Sequence, residues 1–266
     1  MLPAGSACMG LGGDEMGAMQ VIYTLWLREM KWFIRGKTRI IQSVVQPFLW
    51  LAIIGIGMSS AFKLPGGQSY LEFMAPGIIG MTLIFSSIMS GVSVLWDKQF
   101  GFMKEILVAP VARIHIMLGK ALGGVTTSLL QGLLLLLAAA LVGVWPPTFI
   151  ALAQVLVFMI FVSLAFVSLG LAFASRMSDP IAFPLVANFL VMPLFFLSGA
   201  LFPLATAPDW MKAIAYINPL RYGVDGLRGA ILGVSDLSPW TDFGVLVTFS
   251  AAMVLLGGYL FRRASA

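Results

Sequence analysis

The stretch from Phe149 to Ser175, FIALAQVLVFMIFVSLAFVSLGLAFAS, decides the fold, because it contains no Asp, Glu, Lys, Arg or His and is long enough to cross a bilayer as a helix. A helix rises about 1.5 Å per residue, so roughly 20 residues span about 30 Å of hydrocarbon. Outward from it, uncharged apolar stretches of similar length lie at Ile40 to Phe62, Phe73 to Leu95, Ala121 to Val144, Pro180 to Leu201 and Phe243 to Phe261. Six spans place both termini on one side. With 60% hydrophobic and 10% charged residues, the 266-residue chain has too little polar surface to coat a soluble particle. The segments between spans are too short for a core of their own. Residues 20–266 are therefore read as one transmembrane domain. The Gly- and Met-rich residues 1–19 have no continuous apolar run of the signal-peptide kind and are expected to be a disordered leader.

Charge sorting gives the orientation. All but four of the 16 Lys and Arg fall before the first span, between the second and third, between the fourth and fifth, or after the sixth. The exceptions, Lys63, Lys212, Arg221 and Arg228, share their side with Glu72, Asp209, Asp225, Asp236 and Asp242. By the positive-inside rule both termini face the cytoplasm. Topology thus accounts for the net charge of +5 and leaves no basic patch for nucleic acid. The single cysteine, Cys8, excludes an internal disulfide and a cysteine metal site.

From Gln20 to Arg39 the pattern becomes one-sided. Thr24, Arg28, Lys31, Arg35 and Arg39 share one arc of a helix, and apolar residues including Trp26 and Trp32 cover most of the rest, broken only by Glu29. Such a helix lies in the headgroup plane with its cations toward anionic lipid, and Gly36 offers the turn into the first span. The alternative is a solvated start to that span.

Between spans two and three, Asp97 to Pro110 mixes aromatics with charges. Phe102 to Val108 forms about two helical turns, ended by Pro110, with Phe102, Ile106 and Leu107 on one face. That face needs its own bundle, the membrane or a second protein to cover it.

The run Phe100-Gly101-Phe102-Met103-Lys104-Glu105-Ile106-Leu107-Val108-Ala109-Pro110, followed by Ile114 to Lys120, resembles the permease subunits of type-two ATP-binding-cassette (ABC) exporters of drugs, lipo-oligosaccharides and polysaccharides. Asn218-Pro219-Leu220-Arg221-Tyr222-Gly223-Val224-Asp225-Gly226-Leu227-Arg228 is similar to the same family before its last span, and the likeness covers about Gln20 to Arg263. The resemblance implies an all-α membrane protein of six transmembrane helices with an N-terminal interfacial helix. It also implies a cytoplasmic coupling helix between spans two and three and short outer re-entrant helices between spans five and six. The coupling residues would be Phe100, Gly101, Phe102, Lys104, Glu105, Ile106, Leu107 and Pro110, seated in a separate ATPase that binds ATP and Mg. Two ATPase copies would serve a permease homodimer in the cell (inner or plasma) membrane.

The chain has no motor of its own. Gly36-Lys37-Thr38 ends like a P-loop, but the upstream glycine position holds Lys31. No carboxylate or histidine stands within the six stretches, so neither a proton relay nor an intramembrane metalloenzyme can be assembled from them. The lone His115 reads as a solvated loop residue. No catalytic residue, metal ligand or bound cofactor is expected.

In the outer segment, Ala207-Pro208-Asp209-Trp210 starts a short helix. Asn218 is an N-cap with Pro219 at the first helical position, and the helix runs to about Leu232 before Gly233 ends it. On it Asp225 is spaced to pair with Arg221 or Arg228. With Asn218 and Pro219, these residues are the outer-gate candidates, against the alternative of a plain surface ion-pair ladder. In the fifth span, kinked by Pro184 and Pro193, Asn188, Met192, Phe195 and Gly199 follow helical spacing. Asn188, Met192 and Phe195 are the substrate-path candidates; an interhelical hydrogen bond is the ordinary alternative for Asn188. A path without fixed charge suggests amphiphilic cargo, such as a drug, lipid or lipid-linked glycan, moved outward. The rival readings are a carrier or channel independent of any ATPase, and a membrane scaffold or assembly factor.

Overall fold

A computed structural model describes residues 13–59, 69–101 and 113–263. Among them are α1 (Gly13–Arg35), α2 (Lys37–Ser59), α3 (Tyr70–Met89), α4 (Val92–Gln99), α5 (Arg113–Ala140) and α6 (Phe149–Arg176). Then follow α7 (Ala182–Phe196), a 3-10 turn (Leu204–Thr206), α8 (Asp209–Ile217), α9 (Pro219–Leu232) and α10 (Pro239–Arg263). The described residues are mostly helical, joined by turns and loops, with no strand.

Among the described residues, five helical segments are long and apolar enough to cross a membrane: Ile40–Ser59, Tyr70–Gln99, Arg113–Ala140, Phe149–Arg176 and Pro239–Leu260. The stretch expected to cross between residues 180 and 201 is helical over only the 15 residues of α7, roughly 22 Å. It is curtailed at the far end, where Ser198 N bonds Phe195 O and Gly199 takes a φ of 76°. Pro184 falls in its first turn, where no backbone N–H is needed, so only Pro193 lies in its interior.

Gly36 separates α1 from α2 as expected, and α1 takes in Gly13–Met19 from the stretch read as a leader. The second span is broken at Ser90–Gly91, between α3 and α4. There a Cβ on Gly91 would lie 2.6 Å from Gly170 O, and one on Gly170 would lie 2.6 Å from Ile88 O. These glycines let α3 and α6 touch backbone to backbone.

The centre of the bundle is α3, buried along most of its length and packed by α2, α5, α6, α7 and α9. Its Ser69 makes a full capping box with Glu72. On the far side of the bundle α10 packs on α6, while α1 lies along the first half of α5. That contact is close because Gly119 and Gly123 face Ile22, Leu25 and Glu29 without side chains of their own, and Trp26 Nε1 donates to Thr126 Oγ1 at 3.1 Å. Leu25, Met30 and Phe33 are buried, whereas Lys31 and Arg35 of the basic stripe are exposed.

Candidate functional site

Helices α1, α2, α3, α4, α5 and α7 line a cavity of about 560 Å³. Its wall mixes amides (Gln42, Gln46, Gln131, Asn188) and hydroxyls (Ser43, Thr82, Ser86, Ser90, Ser93, Thr127) with Trp32, Phe33, Trp50, Phe85 and three methionines. Such a surface offers hydrogen bonds and apolar contact together, in the size range of small-molecule sites. The hydroxyls of α3 and α5 are interlinked, Ser87 Oγ to Ser128 Oγ at 3.1 Å and Ser128 Oγ to Ser86 Oγ at 3.1 Å. Among the described residues, Glu29 and Lys120 are the only ionisable ones on the wall.

Those two belong to a four-residue ion network. Lys120 Nζ lies 2.5 Å from Asp97 Oδ2 and 3.3 Å from Glu29 Oε1, and it donates to Ser93 Oγ at 3.3 Å. Arg28 Nη2 in turn hydrogen-bonds Asp97 Oδ2 and lies 3.6 Å from Glu29 Oε1. Two cations and two carboxylates from α1, α4 and α5 thus balance, and the three ammonium protons of Lys120 each face an acceptor. Beside it, Lys98 Nζ donates to the carbonyls of Ala174, Ser175 and Met177 at 3.1, 2.9 and 3.4 Å. A cation there satisfies the carbonyls at the C-terminal end of α6 and favours its dipole.

The spacing-based readings meet this site unevenly. Asn188 and Met192 lie on the cavity wall. Phe195 does not: it is buried in the core, on the short helix α7 that packs against α3. Of the coupling residues, Phe100 is 68% exposed and its ring stacks on Trp96 with centroids 5.5 Å apart. Gly101 turns the chain with a φ of 79°. Phe102, Lys104, Glu105, Ile106, Leu107 and Pro110 lie outside the described residues.

On the opposite face, α9 begins and ends as read from sequence. Asn218 Oδ1 accepts from Leu220 N at 3.0 Å, Pro219 opens the helix, and Gly233 closes it in the left-handed conformation. Asn218 Nδ2 also donates to Leu194 O at 2.6 Å, tying α9 to α7. The expected pairing of Asp225 with Arg221 or Arg228 is corrected: neither arginine makes an ion pair within 4.0 Å among the described residues. The Asp225 carboxylate instead accepts from the backbone N–H of Asp236 and of Leu237, both at 2.9 Å. Arg228 donates to Gly199 O at 2.8 Å and stacks over Phe73, and Arg221 stacks over Tyr216. All three are buried, so no exposed ladder exists. The loop after α9 doubles back over it and takes the carboxylate first.

The six apolar stretches themselves carry no carboxylate or histidine, but their flanks bury charges. Lys120 and Asp97 are buried at one end of the bundle and Asp242, on α10, near the other. Helix α4 runs on past its apolar stretch, and α5 and α10 begin before theirs, which brings these flanking charges inside. His115 likewise sits half-buried in the first turn of α5. One sequence signal pointed at the inner network: Glu29 as the sole break in the apolar side of α1.

A bundle of long apolar helices around a cavity of mixed polar and apolar wall is the architecture of a multi-pass membrane protein. The chain belongs to the ABC-2 type transporter family, which it matches over residues 20–232. It is 32% identical over 247 residues to the inner membrane transport permease YadH of Escherichia coli K12, covering 90% of this chain and 94% of that one. It is 30% identical over 213 residues to the putative transport permease ycf38 of Cyanophora paradoxa, covering 78% and 73%. It is 24% identical over 258 residues to nodulation protein J of Rhizobium leguminosarum bv. viciae, covering 96% and 98%. The family is a transmembrane permease and not itself an ATPase.

Proposed function

We propose that this chain is the membrane-spanning half of an ATP-driven exporter that moves an amphiphilic molecule outward from the cytoplasmic side. A separate ATPase, in two copies, would supply ATP and Mg, and the segment from Phe100 to Pro110 would carry its stroke. In this reading α7 and its flanking residues complete a sixth crossing, both termini are cytoplasmic, and the membrane is the cell membrane. Asn218, Pro219, Arg221, Asp225 and Arg228 brace the outer end of the path, and Asn188 and Met192 line it.

The observation that carries the proposal is the cavity's position. It sits between α2 and α7, and the amides of Gln42, Gln46 and Asn188 on those helices are exposed. Lipid tails offer an exposed amide no hydrogen bond, and leaving it unpaired in hydrocarbon costs several kcal/mol. A second copy of this permease facing the first satisfies them and encloses a shared path.

The test is reconstitution into vesicles loaded with a fluorescent amphiphile. Flux is expected only with ATP and a cognate ATPase present. Uphill flux by the purified chain alone would instead establish the ATPase-independent carrier. ATPase binding without any flux, across drug-like, lipid and glycolipid probes, would establish the scaffold.

A further inference from the structure

We infer that the Arg28–Asp97–Lys120–Glu29 network is a gate that closes the cavity on the side where α1 and α4 lie. Side-chain exposure falls in order across it, from 38% at Arg28 through 12% at Glu29 and 11% at Asp97 to 1% at Lys120. The outermost member thus meets the bundle surface while the innermost, with Ser93 and Glu29, is part of the cavity wall. The network fills the space between the two.

Its bonds are of a kind that can part. They join side chains of three different helices, charge is balanced within the group, and a buried ion pair is weak as a net stabiliser compared with apolar packing. Nor is the network needed to hold α1 on α5, a contact already made by Gly119, Gly123, Leu25 and the Trp26–Thr126 hydrogen bond. Asp97 is the pivotal member, since it meets both cations. It lies on α4, the helix that leads through Phe100 and Gly101 into residues 102–112, and Lys98 fastens the same helix to the end of α6. A shift of α4 relative to α1 therefore separates Asp97 from Arg28 and opens a polar way past Lys120. The gate serves the cargo path proposed above, but its opening is measurable without any transport.

The experiment places one cysteine in the cavity wall, Thr127→Cys in a Cys8→Ser background, and follows its reaction with a sulfonated, membrane-impermeant maleimide added to vesicles of either orientation. Arg28→Ala, on the exposed rim, and Arg28→Ala with Asp97→Asn are each expected to raise the rate from the α1 side about tenfold or more. Arg28→Lys, which keeps a cation beside Asp97, is expected to hold the rate near its starting value. An unchanged rate in Arg28→Ala, which has least effect on folding, would overturn the gate. So would an equal rise at a core position away from the cavity, Val155→Cys, because that reports general loosening. Failure of ATP-driven flux with the labelling pattern intact would sink the exporter reading and leave the gate standing.

Discussion

The two buried groups of charges, one at each end of the bundle, are built differently. The inner one joins side chain to side chain across three helices. The other leans on backbone at two of its charges, Asp225 on two backbone N–H groups and Arg228 on a backbone carbonyl as well as the Phe73 ring, while Arg221 stacks on the Tyr216 ring and the buried Asp242 carboxylate has no hydrogen-bond partner among the described residues. Partners that are side chains can exchange, by rotamer change or helix shift. Partners that are backbone hold unless the fold itself gives way. The group around Lys120 therefore suits a moving joint, and the group around Asp225 a more rigid brace.

Substitution can break that contrast, and the largest effects should fall on single charge deletions. Lys120→Met leaves Glu29 and Asp97 with only Arg28 and should cost about 3–5 kcal/mol, read as a fall in Tm in detergent. Adding Glu29→Gln and Asp97→Asn should recover most of it. Asp225→Ala should cost a comparable amount by stranding two backbone donors beside buried cations, but here adding Arg221→Leu should recover little. Equal rescue at both ends would erase the distinction.

Next in size is Gly170→Ala at the α3–α6 crossing. Its new Cβ would meet the Ile88 carbonyl at 2.6 Å, so backbone must move, at about 1–3 kcal/mol in the same unfolding measurement. Asn218→Ala should cost about 1–2 kcal/mol, losing both the α9 cap and the bond to Leu194 O. At the bottom, Lys212→Ala breaks only the surface pair with a fully exposed Asp209 and should leave Tm unmoved.

Much of the fold was legible because bilayer crossing constrains single helices, one stretch at a time. Phe149–Arg176 matches its expected bounds almost to the residue, and the caps of α9 follow from Asn218, Pro219 and Gly233. The inner network was not legible, since its bonds join positions far apart in sequence: Arg28 to Asp97 and Glu29 to Lys120. Helical periodicity places Arg28 on a lipid-facing basic stripe, and only tertiary packing shows that α4 claims it. Phe195 shows the same limit, because spacing along α7 cannot say which face the neighbouring α3 covers.

Photo-crosslinking from position 100, with a photoreactive amino acid replacing the exposed Phe100 in intact cells, tests most directly whether a separate motor works this permease through the α4 loop. An adduct with a P-loop ATPase is the expected result. Crosslinking of position 100 only to lipid, together with sustained uphill flux by the purified chain alone, would contradict it.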